Sequence, residues 1–144
     1  MKRGFTLVEV MVVVIVLMIL VSLSIPNILR SRVVAYEGTA ISNLKTLSNA
    51  CQIYHANVGY YPDNIDALTT TDPPYVDTSF GSSSDYTKQR YKFEYDKVNA
   101  DSFTINANSV SSGLLKGRYF FIDETGIIRA NSDKAAGPKD ESIE

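Results

Sequence analysis

Between residues 10 and 21 the chain carries no polar side chain, and the wider apolar stretch, residues 5–25, is broken early only by Thr6 and Glu9. Twenty-one such residues wound as a helix rise about 31 Å, the thickness of the hydrocarbon layer a membrane span must cross. A cleaved secretory signal would have a shorter apolar core followed by a small-residue cleavage site. Nothing of the Ala-x-Ala kind follows Ile25, so the stretch is expected to be retained and to cross a bilayer once. Lys2 and Arg3 ahead of the span favour a cytoplasmic N-terminus, with everything after Pro26 on the far side. Arg30 and Arg32 lie just past the other end, where basic side chains can reach lipid phosphates, and they weaken that charge bias.

Glu9 is the informative residue within this stretch. A carboxylate near the middle of a span costs about 2.5–3.5 kcal/mol on insertion, and less near the interface. One reading is a shallow Glu snorkelling to the headgroups. The other is pairing with a cation inside an assembly of such helices, the nearest candidate being an amino group created by cleavage just before Phe5.

The run Lys2-Arg3-Gly4-Phe5-Thr6-Leu7-Val8-Glu9-Val10-Met11-Val12-Val13, with Ile25-Pro26-Asn27 closing the span, resembles the prepilin signature of type IV pilins and type II secretion pseudopilins. The resemblance implies cleavage by a prepilin peptidase after Gly4, N-methylation of Phe5, and neutralisation of a neighbouring subunit's Phe5 amine by Glu9 during assembly. Gly4 suits a scissile position because no side chain obstructs the peptidase. The resemblance does not extend to the middle of the span. Met18, Val21 and Ser22 stand where family members commonly carry a Gly and Ala pairs, so the helix melting that the family shows near Pro26 is not carried over.

Beyond Pro26 the apolar residues Ile41, Leu44, Leu47, Cys51, Tyr54 and Val58 recur at spacings of three and four, the period of an amphipathic helix. One helix over residues 5–56 is expected, kinked at Pro26, loosened at Gly38 and stopped by Gly59 and Pro62. A turn-rich connection with a short helix over residues 65–68 follows, and Gly59-x-Tyr61-Pro62 resembles the major pseudopilin. Residues 69–84 read as a polar surface loop. Alternating patterns over residues 91–95, 103–107 and 119–122, with 127–129 after the Asp123-Glu124-Thr125-Gly126 turn, predict three or four strands that end in a hairpin. The fold class is therefore α+β and pilin-like: a long N-terminal helix whose second half covers a small antiparallel sheet. The expected divisions are a leader at 1–4, a span at 5–25, a head at 26–130 and a mobile polar tail at 131–144.

The remaining residues exclude several kinds of chemistry. A net charge of −2 provides no field for a phosphate backbone, so no nucleic acid is expected. The lone Cys51 closes no intrachain disulfide and reads as a small buried residue; the lone His55 reads as solvated or capping and rules out a two-histidine metal site. No catalytic residue and no enzyme activity are expected. No cofactor is expected either, although calcium is a candidate ligand: some major pseudopilins bind it near their C-terminal loops, and Asp123, Glu124, Asp133, Asp140 and Glu141 are acidic here, without EF-hand spacing. The tyrosines read mostly as strand and turn residues half in the core.

Three functions compete. The first is a subunit polymerising through its N-terminal helix into the pseudopilus of a type II secretion system, with Phe5, Glu9 and Pro26 as assembly residues. Its implied partners are the prepilin peptidase, minor pilins or pseudopilins and an inner-membrane assembly platform, with the head in the periplasm. The second is a surface pilin, disfavoured because there is no cysteine pair to close a C-terminal loop. The third is a monomeric membrane-anchored binding module, which gains nothing from a carboxylate inside its anchor.

Overall fold

The computed structural model describes residues 4–80 and 85–143. The cationic start at residues 1–3, and with it most of the expected leader, lies outside the described residues, as do positions 81–84 of the expected loop.

Helix α1 spans Leu7–Val58 without interruption. Pro26 is inside it, so the carbonyl of Ser22 has no ladder donor from that position. The helix ends where the sequence places its stop: Gly59 adopts φ 91°, open to glycine at no steric cost, and its N–H donates to the His55 carbonyl at 2.8 Å. Helix α2, Asp66–Thr69, occupies the expected connection within one residue.

The sheet is a six-strand antiparallel meander in chain order, comprising β1 (Asp85–Lys88), β2 (Tyr91–Asn99), β3 (Ser102–Ser109), β4 (Tyr119–Asp123), β5 (Arg129–Asn131) and β6 (Glu141–Ser142). The period-2 alternation sets which face is buried. Tyr91, Phe93 and Tyr95 of β2, Phe103, Ile105 and Ala107 of β3, and Phe120 and Ile122 of β4 all point into the core. Their register stacks Phe93 opposite Ala107, Tyr95 opposite Ile105, and Ile105 opposite Ile122. Onto this face α1 lays Ala40, Leu44, Leu47 and Cys51, which form one stripe at helical spacing, all buried. Each fully buried Leu contributes about 1.5–3 kcal/mol relative to an exposed one. Two phenols secure the core to neighbouring chain: Tyr95 donates to the Pro62 carbonyl at 2.6 Å, and Tyr91 to that of Arg118 at 2.8 Å.

Three sequence expectations need correction. Residues 69–84 are not simply a surface loop: the turn Thr78–Phe80 buries Phe80, and Tyr75 and Val76 both donate to the Leu68 carbonyl. The second strand of the terminal hairpin begins at Arg129 instead of 127, and Ile128 enters the core just before it. Most substantially, the polar stretch after 131 is not a loose tail, since β6 pairs with β5 and Ala136 is buried. Hydrogen bonds replace the missing apolar residues there. Asn131 Nδ2 donates to Asp140 Oδ1 at 3.0 Å, Gly137 N donates to Asp140 Oδ2 at 2.8 Å, and Ile143 N donates to the Ile128 carbonyl at 3.1 Å. The same contacts lower the pKa of Asp140 below the usual carboxylate value, the bond from Asn131 first among them.

Candidate functional site

The first twenty-odd residues of α1 touch no part of the head. Every described residue from 4 to 28 is exposed, including Phe5 at 82 %, Leu7 at 77 % and Leu23 at 67 %. Among the described residues this is the one helix long and apolar enough to cross a membrane. An apolar surface of this extent on a folded chain marks a contact with lipid or with other protein.

Local chemistry fixes where the helix starts. Thr6 sits in the extended region at φ −85°, ψ 149°, and its Oγ1 accepts the N–H of Glu9 at 3.2 Å, satisfying one of the donors that a helix leaves open at its first turn. Thr6-x-x-Glu9 is thus the Ser/Thr-x-x-Glu pattern of a helix N-terminus, a signal present in the sequence but not read there. Glu9, the only charge between residues 5 and 25, stands in the first turn, where the helix dipole favours an anion. Gly4 and Phe5 precede the helix and are exposed, and a Cβ built on Gly4 would meet nothing within 4 Å. Pro26 is distant from these three, some 17 residues along the helix from Glu9 and equally exposed.

The acidic candidates near the C-terminus are not gathered. Asp123 Oδ1 accepts the N–H of Thr125 at 3.1 Å and also its hydroxyl, while Oδ2 faces Arg129 Nη1 at 3.5 Å. Asp133 follows the Asn131 turn, where its own N–H is the bonded group. Among the described residues no three of His, Cys, Asp and Glu are placed to hold a metal ion.

Cys51 is fully buried, and burial pushes its thiol up to about 12. His55 faces Asp101 at 3.3 Å and packs against the Tyr61 ring.

One interaction escaped the sequence altogether. Glu37, on the face of α1 turned to the sheet, accepts the Arg118 backbone N–H at 2.9 Å on Oε1, and Nε and Nη2 of the same residue at 3.1 and 2.9 Å on Oε2. It joins helix and sheet at the end of the head next to the apolar half of α1. No local pattern links residues 81 positions apart.

Residues 1–25 match the family described as the prokaryotic N-terminal methylation motif. The chain is 32 % identical over 125 residues to the type II secretion system core protein G of Vibrio cholerae, an alignment covering 78 % of this chain and 85 % of that protein. It is 38 % identical over 61 residues to the protein of the same name in Escherichia coli K12, covering 42 % of each. It is also 36 % identical over 62 residues to the type IV major pilin protein PilA of Myxococcus xanthus, covering 43 % of this chain and 28 % of that one. Against the Escherichia coli and Aeromonas hydrophila relatives the match spans less than half of their length. No solved structure matches the chain.

Proposed function

Because this chain belongs to the family of the type II secretion system core protein G, we propose that it is a structural subunit that polymerises through its N-terminal helix into a periplasmic pseudopilus. The observation carrying this reading is the uncovered half of α1, an apolar rod with a single carboxylate one turn from its start. As a monomer the rod requires lipid. In a filament the same surface packs against copies of itself.

Processing precedes assembly in this reading. A prepilin peptidase cuts after Gly4, and the new Phe5 amine is methylated. Exposure and the absence of a side chain at Gly4 leave that peptide bond accessible to an enzyme. Glu9 of one subunit then neutralises the Phe5 amine of the next as the helices bundle, so that two charges enter the apolar core as a pair instead of singly. Minor pseudopilins, an inner-membrane platform and a cytoplasmic ATPase complete the machine, which drives folded proteins through an outer-membrane pore. The head is periplasmic before and after assembly.

The test separates insertion from docking. Glu9→Leu removes the charge and leaves the span more apolar, so fractionation should find the variant in the membrane while sheared filaments disappear. Normal filament yield from Glu9→Leu would refute pairing and leave Thr6 capping and snorkelling as the only roles of the residue. A deletion strain that retains secreted hydrolases and keeps surface motility supports the secretion filament. Loss of motility with normal secretion would transfer the proposal to a surface pilus, the reading favoured by the likeness to the Myxococcus pilin.

A further inference from the structure

The head is electrically lopsided. At the level of residues 33–37 of α1, the turn between β1 and β2 and the loop before β4 come together around one small recess lined by Val33, Tyr36, Arg90, Ser109, Leu115 and Gly117. Arg90, exposed at the turn tip, lies with its guanidinium 5.7 Å from the Tyr36 ring. Lys116 is exposed in the loop before β4, its Nζ 5.5 Å from the Tyr119 ring, one residue before the buried Gly117 that lines the recess. Arg30 and Arg32 project from the helix one to two turns nearer the apolar stretch. The acids near this level are Glu37, which Arg118 already occupies, and Glu141, which lines a recess with Arg118 and Ile41. The loop between β5 and β6 adds Lys134 and Lys139 against Asp133 and Asp140, in balance. At the opposite end, about 28 Å further along α1, stand Asp101 beside His55 and Asp63 beside Lys97.

Two further features accompany the charge. Val34 on the helix and Val110, whose N–H bonds the Arg90 carbonyl at 2.9 Å, are exposed at 67 % and 62 % among these basic groups. Both residues of the β1–β2 turn, Gln89 and Arg90, hold positive φ (49° and 69°), where Asn or Gly is the usual occupant. A two-residue hairpin could have been built at lower cost with smaller residues. Exposed valines among arginines and lysines are the composition of a surface that rests on a bilayer.

We propose that Arg30, Arg32, Arg90 and Lys116, with Val34 and Val110, form a collar that docks the head on anionic phospholipid headgroups while the subunit stands in the membrane. The proposal rests on the reading of residues 5–25 as a span. From Ile25, where the apolar stretch ends, to Tyr36 is about 16 Å along the helix, against an interfacial layer of roughly 5–7 Å and a further screening length of about 8–10 Å. The collar is therefore within electrostatic reach of the phosphates, and the ordinary helix tilt of about 20° brings one side of it lower. The far end lies about 28 Å further along α1, beyond that screening length, so the collar alone carries the attraction. Leaving the membrane for a filament then means releasing this contact.

The test uses the full chain in lipid nanodiscs, one copy per disc, with a fluorophore on Ser112→Cys, an exposed position whose hydroxyl makes no capping bond. The native Cys51 is buried and stays unlabelled. Spin-labelled headgroups quench the dye when the collar is docked. Quenching should be several-fold stronger in phosphatidylglycerol discs than in phosphatidylcholine discs and should fade in 0.5 M salt. Arg90→Ala and Lys116→Ala should each lower the docked-to-undocked ratio about fivefold, the equivalent of about 1 kcal/mol per basic residue at an anionic surface. Lys97→Ala, at the far end, should not. Equal quenching in the two lipids, or no effect of Arg90→Ala with Lys116→Ala, overturns the proposal. So does quenching that follows the number of copies per disc, since the occupant would then be a second subunit. A chain that enters neither kind of disc overturns the span and the collar together.

Discussion

Replacing Glu37 by Ala in a soluble fragment beginning at Asn27 tests whether the head is held to its helix by one buried carboxylate. Such a fragment keeps the whole buried core, since every buried residue among those described lies at position 37 or beyond. The Glu37 side chain is 12 % exposed and that of Arg118 44 %, so the two partners lose unequally. The Arg118 backbone N–H, in a part-buried setting, is left without its acceptor, a loss of about 1–3 kcal/mol. The guanidinium can turn back to water, and its share falls to the surface range of about 0–1 kcal/mol. Together these give about 1–4 kcal/mol. At about 4 °C per kcal/mol for a domain of this size, the midpoint should drop by roughly 4–16 °C. Glu37→Gln keeps an oxygen for the backbone N–H and loses only the charge, so it should cost about 1 kcal/mol. Circular dichroism melts of the three proteins decide the matter. An Ala variant within about 2 °C of the parent, or Ala and Gln variants that melt together, would refute the assignment of the energy to the backbone bond.

Leu47→Asp, which sets an unpaired charge against the sheet face, should unfold the same fragment outright, and a cooperative melt unchanged from the parent would show the wrong helix face in the core. At Gly117 a Cβ would collide with the Tyr91 hydroxyl, so Gly117→Ala should destabilise the fragment by about 1–3 kcal/mol and be partly rescued by Tyr91→Phe, as denaturant melts would show. Burial raises the Cys51 thiol from 9.0 to about 12 and raises the phenols of Tyr91 and Tyr95 as well. These groups stay protonated in the fold after the unfolded chain has released its protons, so urea midpoints should be flat below pH 9 and fall steadily from there towards pH 12. A midpoint that rises with pH in that range would mean the groups are not buried.

What the sequence made legible was whatever local periodicity writes down. The apolar run, the stripe Leu44, Leu47, Cys51 and the alternation of β2 and β3 each repeat with the period of their element, and the structure has them where the pattern put them. The edges of the sheet carry no such pattern. In β1 only Tyr86 is apolar, and it is seated by stacking on Phe93 at 4.8 Å across the strand pair. The two residues of β6 are polar, and Asp140 and Asn131 hold them from outside the strand. The bridge from Glu37 to Arg118 is a tertiary fact that propensity and spacing cannot encode. The Thr6 cap is written in the Thr6-x-x-Glu9 spacing, and it engages the backbone N–H of Glu9, not the carboxylate whose cost in lipid makes that residue conspicuous.

In the proposed reading, with the head carried across a membrane, the chain-order meander of the sheet bears on how that head folds. Each strand's partner is its immediate neighbour in the chain, so no pairing waits on a segment still to be translocated, and each hairpin closes only a short loop. The half-covered helix arrives first and is the last to be satisfied. Until β4 has joined β3 and brought Arg118 to Glu37, the stripe of Ala40, Leu44 and Leu47 stands open beside an apolar rod of the same character. A subunit caught at that moment has a second sticky face, and premature bundling is the hazard that rapid, nearest-neighbour closure of the sheet keeps brief.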